Sequence, residues 1–178
     1  MNSDFNDLRA KSRIDRLDEA AWRREFLRRW KLGVSPKITE SILEQLKNLR
    51  DTMWRITAVL AVEKAPAKRD LKKLNEFVSL IQLRGQVFYQ EGKFEFKMIP
   101  PIRDWNWVIV EIAADFARLL ADFDLQRIRI CANEDCRFAF YDSSKSGGKL
   151  YCRDACSLLA RVHRFRQRQK LSERATAN

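Results

Sequence analysis

The chain's four cysteines constrain its fold more than any other feature, because all of them fall in the last third of its 178 residues. They form two close pairs, Cys131 with Cys136 and Cys152 with Cys156, and fifteen residues separate the pairs. A chain of this length, 46% hydrophobic, can bury a sizeable core without covalent cross-links. The cysteines therefore indicate a local role in the C-terminal third.

Paired thiols at this spacing suit one zinc ion, which takes four soft ligands in a tetrahedron. A tight turn supplies one pair and the start of a helix supplies the other. Four thiolates fill the coordination shell and leave no place for a catalytic water, so we expect a structural ion. Two disulfides or inert buried thiols are the alternative, although a reducing compartment disfavours disulfides. The predicted zinc ligands are Cys131, Cys136, Cys152 and Cys156.

The residues between and after the cysteine pairs predict a small zinc-finger fold of the treble-clef type. Residues 138–141 suit a strand, the turn-rich stretch 143–148 follows, and residues 150–151 return as the second strand of a hairpin. A helix begins near Cys156. We expect its buried side to consist of Leu158, Leu159, Val162 and Phe165.

Positive charge is concentrated in the same segment. The net charge is +11, and residues 127–178 contribute +7 of it. Such a surplus favours an anionic partner, with nucleic acid first. A zinc ion with four thiolates carries a formal charge of −2, which Arg129, Arg137 and Arg153 are placed to offset. The residues predicted to contact nucleic acid are Arg161, Arg164, Arg166, Arg168 and Lys170, assisted by Lys145 and Lys149.

Upstream of residue 127 the apolar periodicity is helical. Ser35-Pro36 predicts the start of a long helix, and Asp104 predicts the start of a strongly apolar one. The spacing changes to an alternating pattern at 86–98, which predicts a β-hairpin around Glu91-Gly92. The fold class is therefore mainly α with small β-hairpins. We expect a helical domain over 1–126 with one hairpin, then a four-cysteine finger over 127–178 that has a basic C-terminal helix and a frayed tail.

Several function classes find no support in the sequence. His163 is the only histidine, and no glycine-rich phosphate loop, nucleophile elbow or zinc-protease motif is present, so we expect no enzymatic activity. His163 lies two helical turns past Cys156, which makes it a solvated or phosphate-facing residue rather than a ligand. No apolar run reaches 18 residues, so we expect no membrane span and a cytoplasmic location.

The segment from Arg127 to Arg168 resembles the CGNR zinc-finger domain of bacterial proteins described as stress-induced transcription regulators. The matching features are the runs RIRICANEDC and FAFYDSSK, the Y-C-x3-C pair and the basic helix. Upstream, APAKRDLKKLN at 65–75 is similar to a P-x3-D-L-x2-L-N stretch of the same proteins. The Gly-Asn-Arg of the family name is absent here, since Cys156 is followed by Ser157, Leu158 and Leu159.

This resemblance implies a zinc-binding, DNA-binding regulator with a helical, sensor-like domain, and by position it marks the four cysteines as ligands. We therefore expect a zinc-dependent protein that binds duplex DNA and regulates transcription in the stress response. Two alternatives stay open: a zinc-stapled module that binds protein or RNA, and a small-molecule sensor that uses the helical domain. A small-molecule effector and a homodimer remain open as further partners.

Overall fold

The computed structural model describes residues 1–7, 12–133 and 135–176, and it is mainly helical with small antiparallel sheets, as predicted. Two short 3-10 turns, Arg16–Asp18 and Leu125–Arg127, separate some of the elements. In chain order the elements are β1 (Asp4–Asp7), β2 (Ser12–Asp15), α1 (Ala20–Arg29), α2 (Glu40–Leu60), α3 (Lys68–Val78), β3 (Arg84–Gln90), β4 (Lys93–Ile99), α4 (Trp105–Asp122), β5 (Ile128–Ile130), β6 (Ala139–Tyr141) and α5 (Asp154–Thr176).

Helices α2, α3 and α4 pack together around the larger of two apolar clusters. Val108, Ile109 and Ala113 of α4 are fully buried, and Ile56 of α2 is buried beside them. Because Trp105 and residues 107–110 of α4 are all buried, this helix supplies much of the hydrophobic driving force for the unit. A smaller cluster surrounds the cysteines.

Helices α2 and α4 begin in different ways. Helix α4 starts where the sequence predicts, since the Asp104 carboxylate accepts a hydrogen bond of 3.1 Å from the Trp107 amide. Helix α2 starts at Glu40, later than Ser35-Pro36 predicts, and Thr39 caps it. The carbonyls of Ser35 and Lys37 accept hydrogen bonds from the Trp105 indole at 3.0 and 2.9 Å. This tertiary contact holds the preceding segment outside the helix.

The predicted hairpin is present as β3 and β4. Glu91 and Gly92 both adopt positive φ, at 50° and 79°, which matches the right-handed twist of the strands. The paired residues Val87 and Phe96, and likewise Tyr89 and Phe94, lie on one face that is largely exposed. A second hairpin, β1 with β2, was missed by the sequence analysis because its strands, DFND and SRID, lack an alternating apolar pattern.

The cysteine-rich segment is folded as a hairpin followed by a helix, but the hairpin uses different strands from those predicted. Strand β6 pairs with β5, which precedes the first cysteine, rather than with residues 150–151. Leu150 instead contributes one hydrogen bond, its carbonyl accepting from the Ala132 amide at 2.9 Å. Helix α5 continues to Thr176, through most of the stretch predicted as a frayed tail.

Several contacts dock this segment on the helical unit. The Asn2 side chain bonds both backbone groups of Ala139, donating to the carbonyl at 2.7 Å and accepting from the amide at 3.1 Å. The Arg137 guanidinium lies 5.3 Å from the centre of a Trp54 ring on α2. Among the described residues, none of the helices has both the length and the apolar character needed to span a membrane.

Candidate metal centre

The four cysteines that the sequence singles out come together in space. Their sulfur atoms all lie within 4.8 Å of one another. Cys136 Sγ is 3.6 Å from Cys152 Sγ and 3.5 Å from Cys156 Sγ, and the latter two are 3.7 Å apart. The β5–β6 loop carries the first pair, while the second pair lies immediately before α5 and in its first turn.

This arrangement fits one tetrahedral zinc ion. With Zn–S distances of about 2.3 Å, the sulfurs of a tetrahedron lie about 3.8 Å apart, close to the separations in the cluster. A disulfide needs its sulfurs at about 2.05 Å, and all four cysteines are free thiols, so the disulfide alternative is wrong. When bound, zinc would be held by Cys131, Cys136, Cys152 and Cys156 and would cross-link the hairpin to α5.

Backbone hydrogen bonds shape the loop that carries the first pair. The Cys131 amide donates to the Phe138 carbonyl at 2.8 Å, which closes the loop just beyond β5. The Cys136 amide donates to the Asn133 carbonyl at 2.8 Å, and Arg137 turns the chain with a φ of 52°. These hydrogen bonds place the two thiols on a tight turn between β5 and β6.

Burial and neighbouring groups make the thiols chemically unequal. Burial raises the pKa of Cys136 to about 11, and burial with the adjacent thiols raises the pKa of Cys152. Burial also opposes ionisation of Cys156, but hydrogen bonds from Arg153 and from the other thiols lower its pKa overall. Binding of zinc requires thiolates, so it releases protons from this cluster.

Arg153 interacts directly with the cysteine cluster. Its pKa is raised, first by a hydrogen bond with Cys156 and further by the charges of the nearby thiols. The other two arginines proposed to offset the metal's charge have different contacts. Arg129 donates to the Gly147 carbonyl at 3.3 Å, and Arg137 stacks on Trp54.

Asp142 is a structural residue of the finger that sequence reasoning missed. Its side chain is fully buried and accepts hydrogen bonds from the Ser144 hydroxyl, the Ser144 amide and the Lys149 amide at 2.6, 2.9 and 2.7 Å. The Ser144 hydrogen bonds, together with that from Lys149, lower its pKa to about 2. Asp142 thus ties together the loop between β6 and α5. The Asp-Ser-Ser run is the signal that indicates such a turn.

The basic residues of α5 lie on different sides of the helix. Arg161, Arg164 and Arg168 share one side, where they line a shallow groove together with Phe165. Arg166 lies on the opposite side, because each residue advances about 100° around the helix. The buried side predicted for this helix is wrong at two positions: Leu158 and Phe165 are each 61% exposed. Among the described residues, no second apolar layer covers these two side chains.

The remaining predicted contact residues are placed as follows. Lys145 and Lys149 are exposed in the loop that Asp142 holds, and no described contact joins them to the arginines of α5. Lys149 Nζ lies 5.9 Å from the centre of the Phe140 ring. The side chain of Lys170 lies outside the described residues. His163 is exposed on α5 and takes no part in the cysteine cluster.

A hairpin that presents two thiolates, a connecting loop and a helix that presents two more define a structural zinc finger of treble-clef type. The family model of the CGNR zinc finger matches residues 127–169, which confirms the resemblance for this segment. The match spans the four cysteines and most of α5, and residues 1–126 lie outside it. A comparison of the chain with curated proteins finds no significant match.

Proposed function

We propose that this protein binds duplex DNA through its zinc finger and regulates transcription, acting in the cytoplasm as a binding protein rather than an enzyme. One observation carries the proposal: Arg161, Arg164, Arg166 and Arg168 of α5 are all exposed. Among the side chains that the structure describes, no carboxylate lies within ion-pair distance of Arg161, Arg164, Arg166 or Arg168.

In the helical unit, by contrast, several charged side chains form ion pairs with one another. Several of its arginines pair with acids of the same unit, among them Arg50 with Asp15 and Asp51, and Arg55 with Asp70 at 2.8 Å. Within the described part of the chain, Arg161, Arg164 and Arg168 of α5 form no such ion pair. Phosphate oxygens of a nucleic acid are the ligands that such a row of guanidinium groups attracts.

The position of the arginines adds a geometric reason for a helical polyanion. Helix α5 has 23 residues and is therefore about 35 Å long. Its first turn carries Cys156 of the cysteine cluster, while Arg161 and Arg168 project from one side farther along. A rigid helix with cations one and two turns apart is suited to phosphates along a groove of duplex DNA.

The test compares two triple variants that remove equal charge. R161A/R164A/R168A should weaken binding to duplex DNA and reduce the salt-dependence slope of log K by about 3, because each lost phosphate contact releases about one counterion fewer. The matched control R24A/R69A/R84A removes three exposed arginines of the helical unit and should retain the slope. Fluorescence anisotropy over a range of salt concentrations measures both.

The outcomes separate DNA binding from the alternatives. Equal losses in the two triple variants would show that only net charge matters and would contradict the assignment to α5. A hairpin RNA or an acidic polypeptide that displaces duplex DNA at lower concentration than unlabelled DNA would favour the interaction-module alternative. Fragments retained by the zinc-loaded protein, once sequenced, would show whether recognition extends to particular base sequences.

A further inference from the structure

A cavity of about 710 Å³ lies in the helical unit, among α1, α2, α4 and residues 1–3. Its volume falls within the range of about 300–1,000 Å³ that is typical of small-molecule sites. The finger contributes Phe138 to the lining, so the cavity adjoins the docked zinc finger. It is separate from the cysteine cluster and from the exposed arginines of α5.

The walls of the cavity are mostly apolar and aromatic. Trp22 and Phe26 of α1 stack with their ring centres 5.4 Å apart and their planes 20° from parallel, which presents a flat aromatic surface. Trp105, Met53 and Leu49 contribute further apolar surface from α4 and α2. Such walls favour a ligand with a planar or hydrocarbon body.

The charged groups of the lining are not balanced. Arg50 is already neutralised, because its guanidinium contacts Asp15 at 2.7 Å and Asp51 at 3.1 Å. Glu25 forms an ion pair with Arg28 at 2.6 Å, so its negative charge is also compensated. Among the described residues, neither Arg23 nor Arg29 has a carboxylate within ion-pair distance.

Arg23 supplies the most specific signal. One of its terminal nitrogens donates to the Leu17 carbonyl at 2.6 Å, but its Nε atom is buried and has no acceptor within the described part of the chain. A buried donor without an acceptor costs free energy, and a charged donor costs more. An anionic oxygen in the cavity would satisfy this donor and the charge together.

We propose that this cavity binds an amphipathic organic anion, with an aromatic or hydrocarbon body against Trp22, Phe26 and Trp105 and a carboxylate toward Arg23. The inference stands apart from the DNA-binding proposal, since none of the arginines of α5 named there lines the cavity. It assigns to that unit the recognition of a small molecule of defined chemistry.

The test uses a matched pair of probes on the zinc-loaded full chain, without DNA. 1-Naphthaleneacetate carries the carboxylate, and 1-naphthaleneacetamide is its neutral isostere. Isothermal titration calorimetry should show the acid binding at least about tenfold more tightly than the amide. Equal affinities would overturn the anionic part of the proposal, and absence of saturable binding by both probes would overturn the site.

Two variants test the role of Arg23. Arg23→Gln should reduce the affinity for the acid by about tenfold and leave that for the amide nearly unchanged, since only the charge-assisted contact is lost. Arg24→Gln is the matched control, because Arg24 is exposed on the same helix and does not line the cavity. An equal effect of the two substitutions would contradict the assignment.

The chain's five tryptophans locate the probe independently of any variant. Trp22, Trp30 and Trp105 line the cavity, whereas Trp54 and Trp107 lie elsewhere. In a ¹⁵N-resolved NMR titration, the indole signals of the first three should shift with the acid. Shifts confined to Trp54 and Trp107 would place the probe outside the cavity and overturn the proposal.

Discussion

Single residues decide whether the finger holds its shape between the metal ligands. Asp142 shows this best, because one buried carboxylate accepts three hydrogen bonds from Ser144 and Lys149. Arg127 reinforces the same loop by donating to the carbonyls of Asp142 and Ser144 at 3.0 and 2.8 Å. The loop that carries Lys145 is thus ordered by side chains, since regular secondary structure is absent between β6 and α5.

Replacing Asp142 with Asn should loosen this loop. The Asn amide group can accept from Ser144 but turns an NH2 toward the Lys149 amide, which then has no acceptor. We expect trypsin to cleave after Lys145 and Lys149 about tenfold faster than in the unmodified chain. Asp122→Asn, at an exposed acid, is the control and should leave cleavage unchanged. Equal cleavage of the two variants would mean that Asp142 does not hold the loop.

A second residue-scale prediction concerns the ligands. Cys136→Ser removes one of four thiolates from a shell that zinc needs complete, so the zinc-to-protein ratio should fall from about one toward zero. Ser157→Ala, at a neighbour of the ligand Cys156, should retain a full equivalent. Atomic absorption on dialysed protein measures both. A serine variant that keeps its zinc would show that Cys136 is not a ligand.

At the scale of elements, the long helices have opposite relations to the rest of the molecule. Helix α4 is enclosed by α2 and α3, whereas α5 leaves Leu158 and Phe165 exposed. The reason lies in their neighbours. Helix α4 follows the β3–β4 hairpin and packs between α2 and α3 in the core. The first turn of α5 lies at the cysteine cluster, and the rest of the helix is largely exposed.

The enclosed helix should tolerate truncation poorly. Ile109→Ala removes a side chain that is fully buried, and we expect a loss of about 2–5 kcal/mol in the free energy of unfolding because a cavity remains. Ile102→Ala makes the same chemical change at a residue that is 70% exposed and should cost under about 0.5 kcal/mol. Urea denaturation followed by circular dichroism measures both. Similar losses would contradict the placement of α4 at the core.

At the scale of the whole molecule, the two apolar clusters are stabilised differently. The helical unit has a core of its own, while the finger's small cluster is made largely of the cysteines themselves with a few aromatic neighbours. A unit with so little apolar surface depends on its metal for stability. The contacts of Asn2 with Ala139 and of Arg137 with Trp54 then join a metal-dependent unit to a metal-independent one.

Removal of zinc should therefore unfold the finger selectively. After treatment with a strong chelator, we expect proteolysis to attack residues 127–176 first, while a fragment containing α1 to α4 persists. Re-addition of zinc before the protease should restore resistance. Resistance of the finger that survives complete removal of zinc, verified by metal analysis, would refute the dependence.

The sequence by itself determined the cluster of four cysteines that can hold zinc, the mainly helical class, the β3–β4 hairpin and the start of α4. Each of these follows from local chemistry: thiol spacing, apolar periodicity, the Glu91-Gly92 turn, and the cap at Asp104. Such signals need no knowledge of distant residues. The CGNR zinc finger could be identified for the same reason, because its cysteines and flanking runs are contiguous in the chain.

Only the tertiary structure decided the features that depend on which segments meet. The Trp105 indole donates hydrogen bonds to the carbonyls of Ser35 and Lys37, so α2 begins later than the sequence predicts. This contact spans about 70 residues, and local periodicity cannot predict it. The pairing of β6 with β5, the exposure of Phe165 and the unbalanced charge of Arg23 have the same origin. Burial and charge compensation depend on which residues are neighbours in space, and the fold determines those neighbours.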